Sequence, residues 1–349
     1  MPTHVTHEQT RPHLSAEETH LFGNHAPHLF WDARTRCPAD CGAPEPRVYR
    51  EHQQIITIGG LPALNEVMEF DRDLFWRLKS DLDRFPVSGF NVDFEIDFQV
   101  TTHSHFRSQP IRQKKDRFRI VTIGDSCTFG VGVDDNQTWP AQKMISQRGH
   151  EVEVINAGVP GYTAFQGKRF LEKTGMALDP DLIVCCFGFN DGDTWASRSD
   201  FETSRSLRWI RGNSLMIHSR LYFSLQKVLQ HDWAGEVGID IAERPRLTPR
   251  EFYTTLREIG QLCDERNTRL VLLVWPSASQ VAYRVAQLVP YQQFTVQLGQ
   301  NEGIPVVNLL PAFFAQPEQL FVDHIHANTA GCRVTAAALC DVVVPMLMP

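Results

Sequence analysis

Three short apolar runs in this chain each end on a polar, glycine-bearing turn, and that repeated arrangement permits few folds. Ile120, Val121 and Ile123 run into Gly124-Asp125-Ser126. Residues 151–155 run into Asn156-Ala157-Gly158-Val159-Pro160-Gly161-Tyr162, and residues 181–186 into Phe187-Gly188-Phe189-Asn190-Asp191. Each run has the length and β-branched content of a buried strand. Helical stretches separate them, around residues 139–148 and 164–175. The rhythm resumes with a helix over 250–266, a strand over 269–275, a helix over 279–301 and a short strand over 304–308. Such alternation predicts a three-layer α/β fold, a mainly parallel sheet with helices on both faces.

In an open α/β sheet, ligands bind beyond the carboxyl ends of the strands, where all these turns lie. A serine at that edge caps a helix or acts as a nucleophile. A nucleophilic serine needs a base, and the base needs a carboxylate to fix its tautomer. The late turn Asp323-His324-Ile325-His326-Ala327-Asn328, ahead of a small-residue helix over 329–344, supplies both. Ser126, Asp323 and His326 make a chemically complete set. His324 competes with His326 on composition alone, but it would need a different turn geometry, which leaves it as a rim residue or one that supports the site from behind. Cys127 is expected to pack beneath the turn as a small apolar side chain.

These residues resemble the sequence blocks of the GDSL or SGNH hydrolases. Gly124, Asp125 and Ser126 match the nucleophile block; Gly158 matches a glycine that donates its amide to the oxyanion. Gly188, Asn190 and Asp191 match Gly-x-Asn-Asp, whose asparagine is a second oxyanion donor. Asp323 and His326 match Asp-x-x-His. The blocks occur in family order over roughly residues 118–344. The resemblance implies a flavodoxin-like SGNH hydrolase fold over residues 116–349. Residues 134–140 and 70–79 also look like stretches of a bacterial subgroup that carries an extra N-terminal region.

That region divides in two. Residues 1–45 form a polar arm with His4, His7, His13, His20, His25 and His28, ahead of Cys37 and Cys41. The irregular spacing argues for an arm rather than a metal site, and no cofactor is expected. Residues 46–115 form a small β-rich module, with strands over 54–58 and 91–102. In the second, Val92, Phe94, Ile96, Phe98 and Val100 alternate with polar residues, as one wet face requires. An insertion at about 196–248 breaks the α/β rhythm. It holds a helix over 214–229, and Trp195, Trp209 and Trp233 stand at or within its borders.

The 349 residues carry a formal net charge of −7, which gives no broad attraction to nucleic acid or to an anionic membrane. The first residues lack the apolar core of a signal peptide, and no stretch is expected to reach membrane-span length. The eight cysteines fit buried thiols better than a secreted disulfide framework, so a cytoplasmic protein is expected. Oligomeric state is not legible.

The resemblance implies a serine esterase acting through an acyl-enzyme on a small or moderately sized soluble ester, short acyl groups such as acetyl included. An O-acyltransferase would use the same three side chains with an alcohol in place of water. A non-enzymatic binding protein that keeps the fold is the third expectation, disfavoured by the presence of all four blocks.

Overall fold

The computed structural model describes residues 62–91, 94–114, 117–141, 152–194, 199–211, 244–316 and 318–347. The arm over residues 1–45, the strand expected at 54–58, the helix expected at 214–229, Trp195, Trp233 and the side chain of Trp209 lie outside them. All described residues belong to one compact unit, Glu45–Pro349.

At its centre is a five-stranded parallel sheet of β5 (Phe118–Gly124), β6 (Val152–Gly158), β7 (Leu182–Cys186), β8 (Arg269–Val274) and β9 (Val306–Asn308), in spatial order β6-β5-β7-β8-β9. Counted along the sheet strands alone, this is the flavodoxin-like order 2-1-3-4-5, with its topological switch beside β5. Buried parallel strands need apolar residues on both faces, and these have them. Val121 and Ile123 of β5, Ile183 and Cys185 of β7, and Leu270 and Leu272 of β8 enter one core. Ile120, Leu182, Val184, Val271 and Leu273 enter the other, the period-2 alternation of strands.

The first core is covered by α2 (Ala164–Lys173), α4 (Pro249–Asp264) and α6 (Pro290–Glu302), through Phe170, Phe252, Ile259 and Leu298. The second is covered by α7 (Leu310–Phe314) and α8 (Thr329–Val343), through Phe313, Leu339 and Val343. Helix α4 starts where Thr248 and Glu251 form a capping box and Pro249 takes the first turn.

Ahead of the sheet stand two antiparallel hairpins: β1 (Met68–Asp71) with β2 (Phe75–Leu78), and β3 (Phe85–Asn91) with β4 (Phe94–Val100). In β4, Ile96, Phe98 and Val100 are buried while Glu95, Asp97 and Gln99 are exposed, as the alternation required. The module is stapled to the sheet domain by Arg107, which is 4% exposed. Its guanidinium donates to the carbonyls of Phe129, Gly130, Val133 and Gln99 and to Asp135.

Several sequence expectations change. The helix expected over 279–301 is two, α5 (Ala278–Ala282) and α6, because Pro290 cannot occupy a helix interior and instead opens the second. Between β9 and the late turn the chain forms α7, a short helix that the alternation of strands and helices did not announce. Of the helix expected over 139–148, the described part is a 3-10 turn, Trp139–Ala141. The insertion contributes α3 (Asp200–Arg211). The expectation that no stretch reaches membrane-span length is corrected by Thr329–Leu347, 19 residues whose most apolar window has a mean hydropathy of 1.5. Half of its most apolar window is buried inside the protein, where α8 completes the second core.

Candidate active site

Strand β5 ends at Gly124, where a Cβ would meet Thr128 Oγ1 at 2.0 Å and the Cys186 carbonyl at 2.6 Å. Only glycine lets the chain leave the sheet here. Asp125 then caps a four-residue helix, α1 (Ser126–Phe129), by accepting the Cys127 amide at 2.9 Å. Ser126 is therefore the first residue of a helix at the carboxyl end of β5.

Ser126 Oγ lies 2.8 Å from His326 Nε2, across 200 residues of sequence. His326 Nδ1 lies 2.6 Å from Asp323 Oδ2. With the Nδ1 proton donated to the carboxylate, Nε2 is free to accept from the serine hydroxyl. Asp323 Oδ1 accepts the amides of Ile325 and His326 at 2.9 and 2.7 Å, so one carboxylate shapes the turn and orients the ring. Burial opposes ionisation of Asp323, but the His326 ring and these amides outweigh it and hold the carboxyl well below the usual range. Trp275 Nε1 pins the turn from beneath by donating to the Ile325 carbonyl at 2.8 Å.

His324 points elsewhere. It is exposed, with its ring 5.6 Å from that of Phe189 and 6.5 Å from that of His326. Together with Phe189, which is 46% exposed, it forms a rim. Cys127 is buried, and burial pushes its thiol well up, so it is inert packing beneath the turn.

Asn190 follows β7 and is 7% exposed. Its side-chain amide donates to the Tyr162 carbonyl at 3.1 Å and to Asp125 Oδ2 at 3.3 Å, which brings the turns after β5, β6 and β7 together. Asp191 faces away from the serine. It accepts the amides of Ala164 and Gly188, and burial pushes its carboxyl up to about 7.

Gly158 is the residue expected to give its amide to the oxyanion. Its amide is donated to Asn156 Oδ1 at 3.0 Å, and a Cβ there would meet the Phe129 amide nitrogen at 2.4 Å. The residue lets β6 lie against α1; its amide is already engaged. Three residues on, Pro160 and Gly161 occupy the middle of a turn closed by Tyr162 N–H to the Val159 carbonyl at 3.1 Å. Gly161 has φ +77°, the sign a type II turn requires at that position. The Pro-Gly pair was the sequence signal for this second glycine. Its amide sits two peptides before the carbonyl that Asn190 holds.

A cavity of about 480 Å³ opens beside the nucleophile, touching the residues on either side of it, Asp125 and Cys127. Phe187, Trp275, Tyr291 and Ile325 give it a largely apolar wall, to which Gln280 and Gln292 add polar groups.

Residues 122–334 match the model of the GDSL-like Lipase/Acylhydrolase family, more than half of the chain. The chain belongs to this family. Membership puts the GDSL-like chain among serine hydrolases that act on ester bonds. It is similar to esterase TesA of Pseudomonas aeruginosa, with 33% identity over 75 residues, 21% of this chain and 37% of TesA. The match thus spans little more than a third of that relative. Among solved structures, it is similar to a lipase/acylhydrolase from Enterococcus faecalis, with a TM-score of 0.44 and 20% identity over 66% of this chain and 96% of the other. It is also similar to the acetylxylan esterase Axe2 of Geobacillus stearothermophilus, with a TM-score of 0.41 and 16% identity over 64% and 93%.

Proposed function

We propose that this protein is a serine esterase that hydrolyses small or moderately sized soluble carboxylic esters through an acyl-enzyme. The observation that carries the proposal is the line Ser126 Oγ to His326 Nε2 to Asp323, at 2.8 and 2.6 Å. Ser126 Oγ attacks the ester carbonyl while His326 Nε2 takes its proton, and Asp323 stabilises the imidazolium. The tetrahedral oxygen is met by the backbone amides of Ser126 and Gly161 and by the Asn190 side chain, which turns onto it the N–H now 3.3 Å from Asp125, Gly161 taking the part that the resemblance implied for Gly158. Collapse returns the proton from His326 to the leaving alcohol and leaves Ser126 acylated. Water, deprotonated by the same imidazole, then releases the acid and restores the serine.

The cavity beside Ser126 supports an uncharged acyl group of short to moderate length, because apolar side chains dominate its wall. The six described cysteines are buried free thiols, which supports action in a reducing compartment such as the cytoplasm.

A fluorophosphonate probe and a panel of aryl esters from acetyl to octanoyl test the proposal. Labelling and hydrolysis that both vanish in Ser126→Ala are expected. A folded wild-type protein that neither labels nor hydrolyses any member of the panel would reject it. Adding a primary alcohol to the assay and assaying for a new ester separates acyl transfer from hydrolysis.

A further inference from the structure

The turn that offers the Gly161 amide does not fix its own orientation. Proline sets φ at position 160, but glycine at 161 accepts φ of either sign, so the peptide between them can rotate between the type II and type I forms. Rotation would turn the Gly161 N–H away from the site, because N–H and C=O of a trans peptide point in opposite directions. Something outside the turn must hold the Pro160 carbonyl.

Trp76, on β2 of the N-terminal module, donates its indole N–H to the Pro160 carbonyl at 2.9 Å. Tyr162, the last residue of the turn, returns its hydroxyl to the Trp76 carbonyl at 2.6 Å. On the other side, Arg246 donates to the Gly161 carbonyl at 2.6 Å, with its guanidinium carbon 5.6 Å from the centre of the Trp76 ring. Arg246 is 1% exposed and is gripped by both oxygens of Asp200, at 3.1 and 2.9 Å, and by Gln166 at 2.8 Å. Asp200 begins α3 and Arg246 lies just beyond the undescribed stretch 212–243, so both come from the insertion.

We infer that Trp76 and Arg246 are positioning residues that lock the Pro160–Gly161 peptide with its N–H toward the oxyanion, so that the N-terminal module and the insertion jointly set the strength of the oxyanion hole. The inference rests on Gly161 being an oxyanion donor. A donor on the Pro160 carbonyl also polarises the peptide and strengthens the N–H on its opposite side. Neither residue supplies an atom to the reaction. The two segments that most distinguish this chain from a bare α/β hydrolase therefore meet on the two peptides that flank Gly161.

Trp76→Phe tests this, because it keeps an aromatic ring for Arg246 and removes the indole donor. The expected result is a kcat lower by about tenfold or more with KM within about twofold, and an equal loss of affinity for a boronic acid that forms a tetrahedral adduct on Ser126. In the wild type, forming that adduct should move the Gly161 amide proton downfield in a 15N-resolved spectrum, and the movement should shrink in Trp76→Phe. Should that variant not fold, benzothienylalanine at position 76 keeps the shape of tryptophan with sulfur in place of N–H. An unchanged kcat with an unchanged Gly161 shift overturns the inference and leaves the oxyanion assignment standing. A wild-type Gly161 amide that does not respond to the adduct overturns the assignment itself, and the inference with it.

Discussion

Gly158 gives its amide to the side chain of Asn156 at 3.0 Å and lies flat against the nucleophile helix. Gly158→Ala should therefore act on stability, since the new Cβ would meet the Phe129 nitrogen at 2.4 Å and the Thr128 carbonyl carbon at 2.7 Å. A loss of about 1–3 kcal/mol by chemical denaturation is expected for such overpacking. Gly161→Ala should instead act on turnover. Its φ of +77° costs alanine about 1 kcal/mol, and relieving that strain by flipping the turn points the N–H of residue 161 away from the site, which lowers kcat by about a hundredfold. Measuring kcat and unfolding on both variants checks the exchange of roles; a hundredfold kcat loss confined to Gly158→Ala, with stability intact, would return the donor to Gly158.

The two histidines of the late turn should separate cleanly in single-turnover acylation. His326→Ala removes the base and Ser126→Ala the nucleophile, so both should suppress acylation by more than about a thousandfold. Asn190→Ala keeps both and should lose about a hundredfold. His324→Ala, at the exposed rim, should retain acylation and alter KM by a few-fold through its contact with Phe189. A His324→Ala variant as slow as His326→Ala would move the base to the wrong residue of the turn.

Arg107 should be among the most costly positions outside the site. Replacing it with alanine strips the donor from four carbonyls and from Asp135. Breaking a buried charged network of this kind costs about 3–5 kcal/mol. Arg107→Lys should recover little, because one ammonium cannot reproduce a planar fork that serves five acceptors. Guanidinium unfolding of the three proteins checks the order, which fails if lysine matches arginine.

Stability should fall as pH rises through the neutral range. Burial pushes Asp125 up to about 6 and Asp191 up to about 7, above the unfolded carboxyl value of about 4. Between about pH 4 and 7 the folded chain binds more protons than the unfolded one, so the contribution of these two carboxyls declines with rising pH. Asp323 has the opposite sign: its contribution is present above about pH 4 and is lost on acidification. Denaturation midpoints should be higher at pH 5 than at pH 8, and Asp125→Asn should flatten the slope near pH 6. A midpoint that climbs steadily from pH 5 to 8 would contradict the neutral buried carboxyls.

The parts legible in the sequence were those set by local pattern. Strand β5, the alternation of β4 and the Asp-x-x-His turn each announce themselves within a few residues. Three features were not legible because they are made by contacts distant in sequence. Gly161 carries the Pro-Gly signal of a turn, but only the approach of α1 to β6 reveals Gly158 as a packing glycine. Trp76 reads as an apolar residue of a cover module until its indole meets a carbonyl 84 residues away. Arg246 sits in a turn-rich stretch whose composition suggests solvent, yet Asp200, Gln166 and Gly161 converge on it to make burial of a charge tolerable. The split at Pro290 was the exception: the proline was visible and should have ended the longer helix.

The 200-residue gap between Ser126 and His326 has a consequence during synthesis. The hydroxyl leaves the ribosome long before its imidazole partner, and the final segment must dock through α8 before a proton acceptor faces the serine. Until then the nascent chain carries a chemically silent alcohol. Translation that stops short of residue 326 would release a product with no competent base, so ester cleavage would report that synthesis has passed the late turn and that the turn has docked.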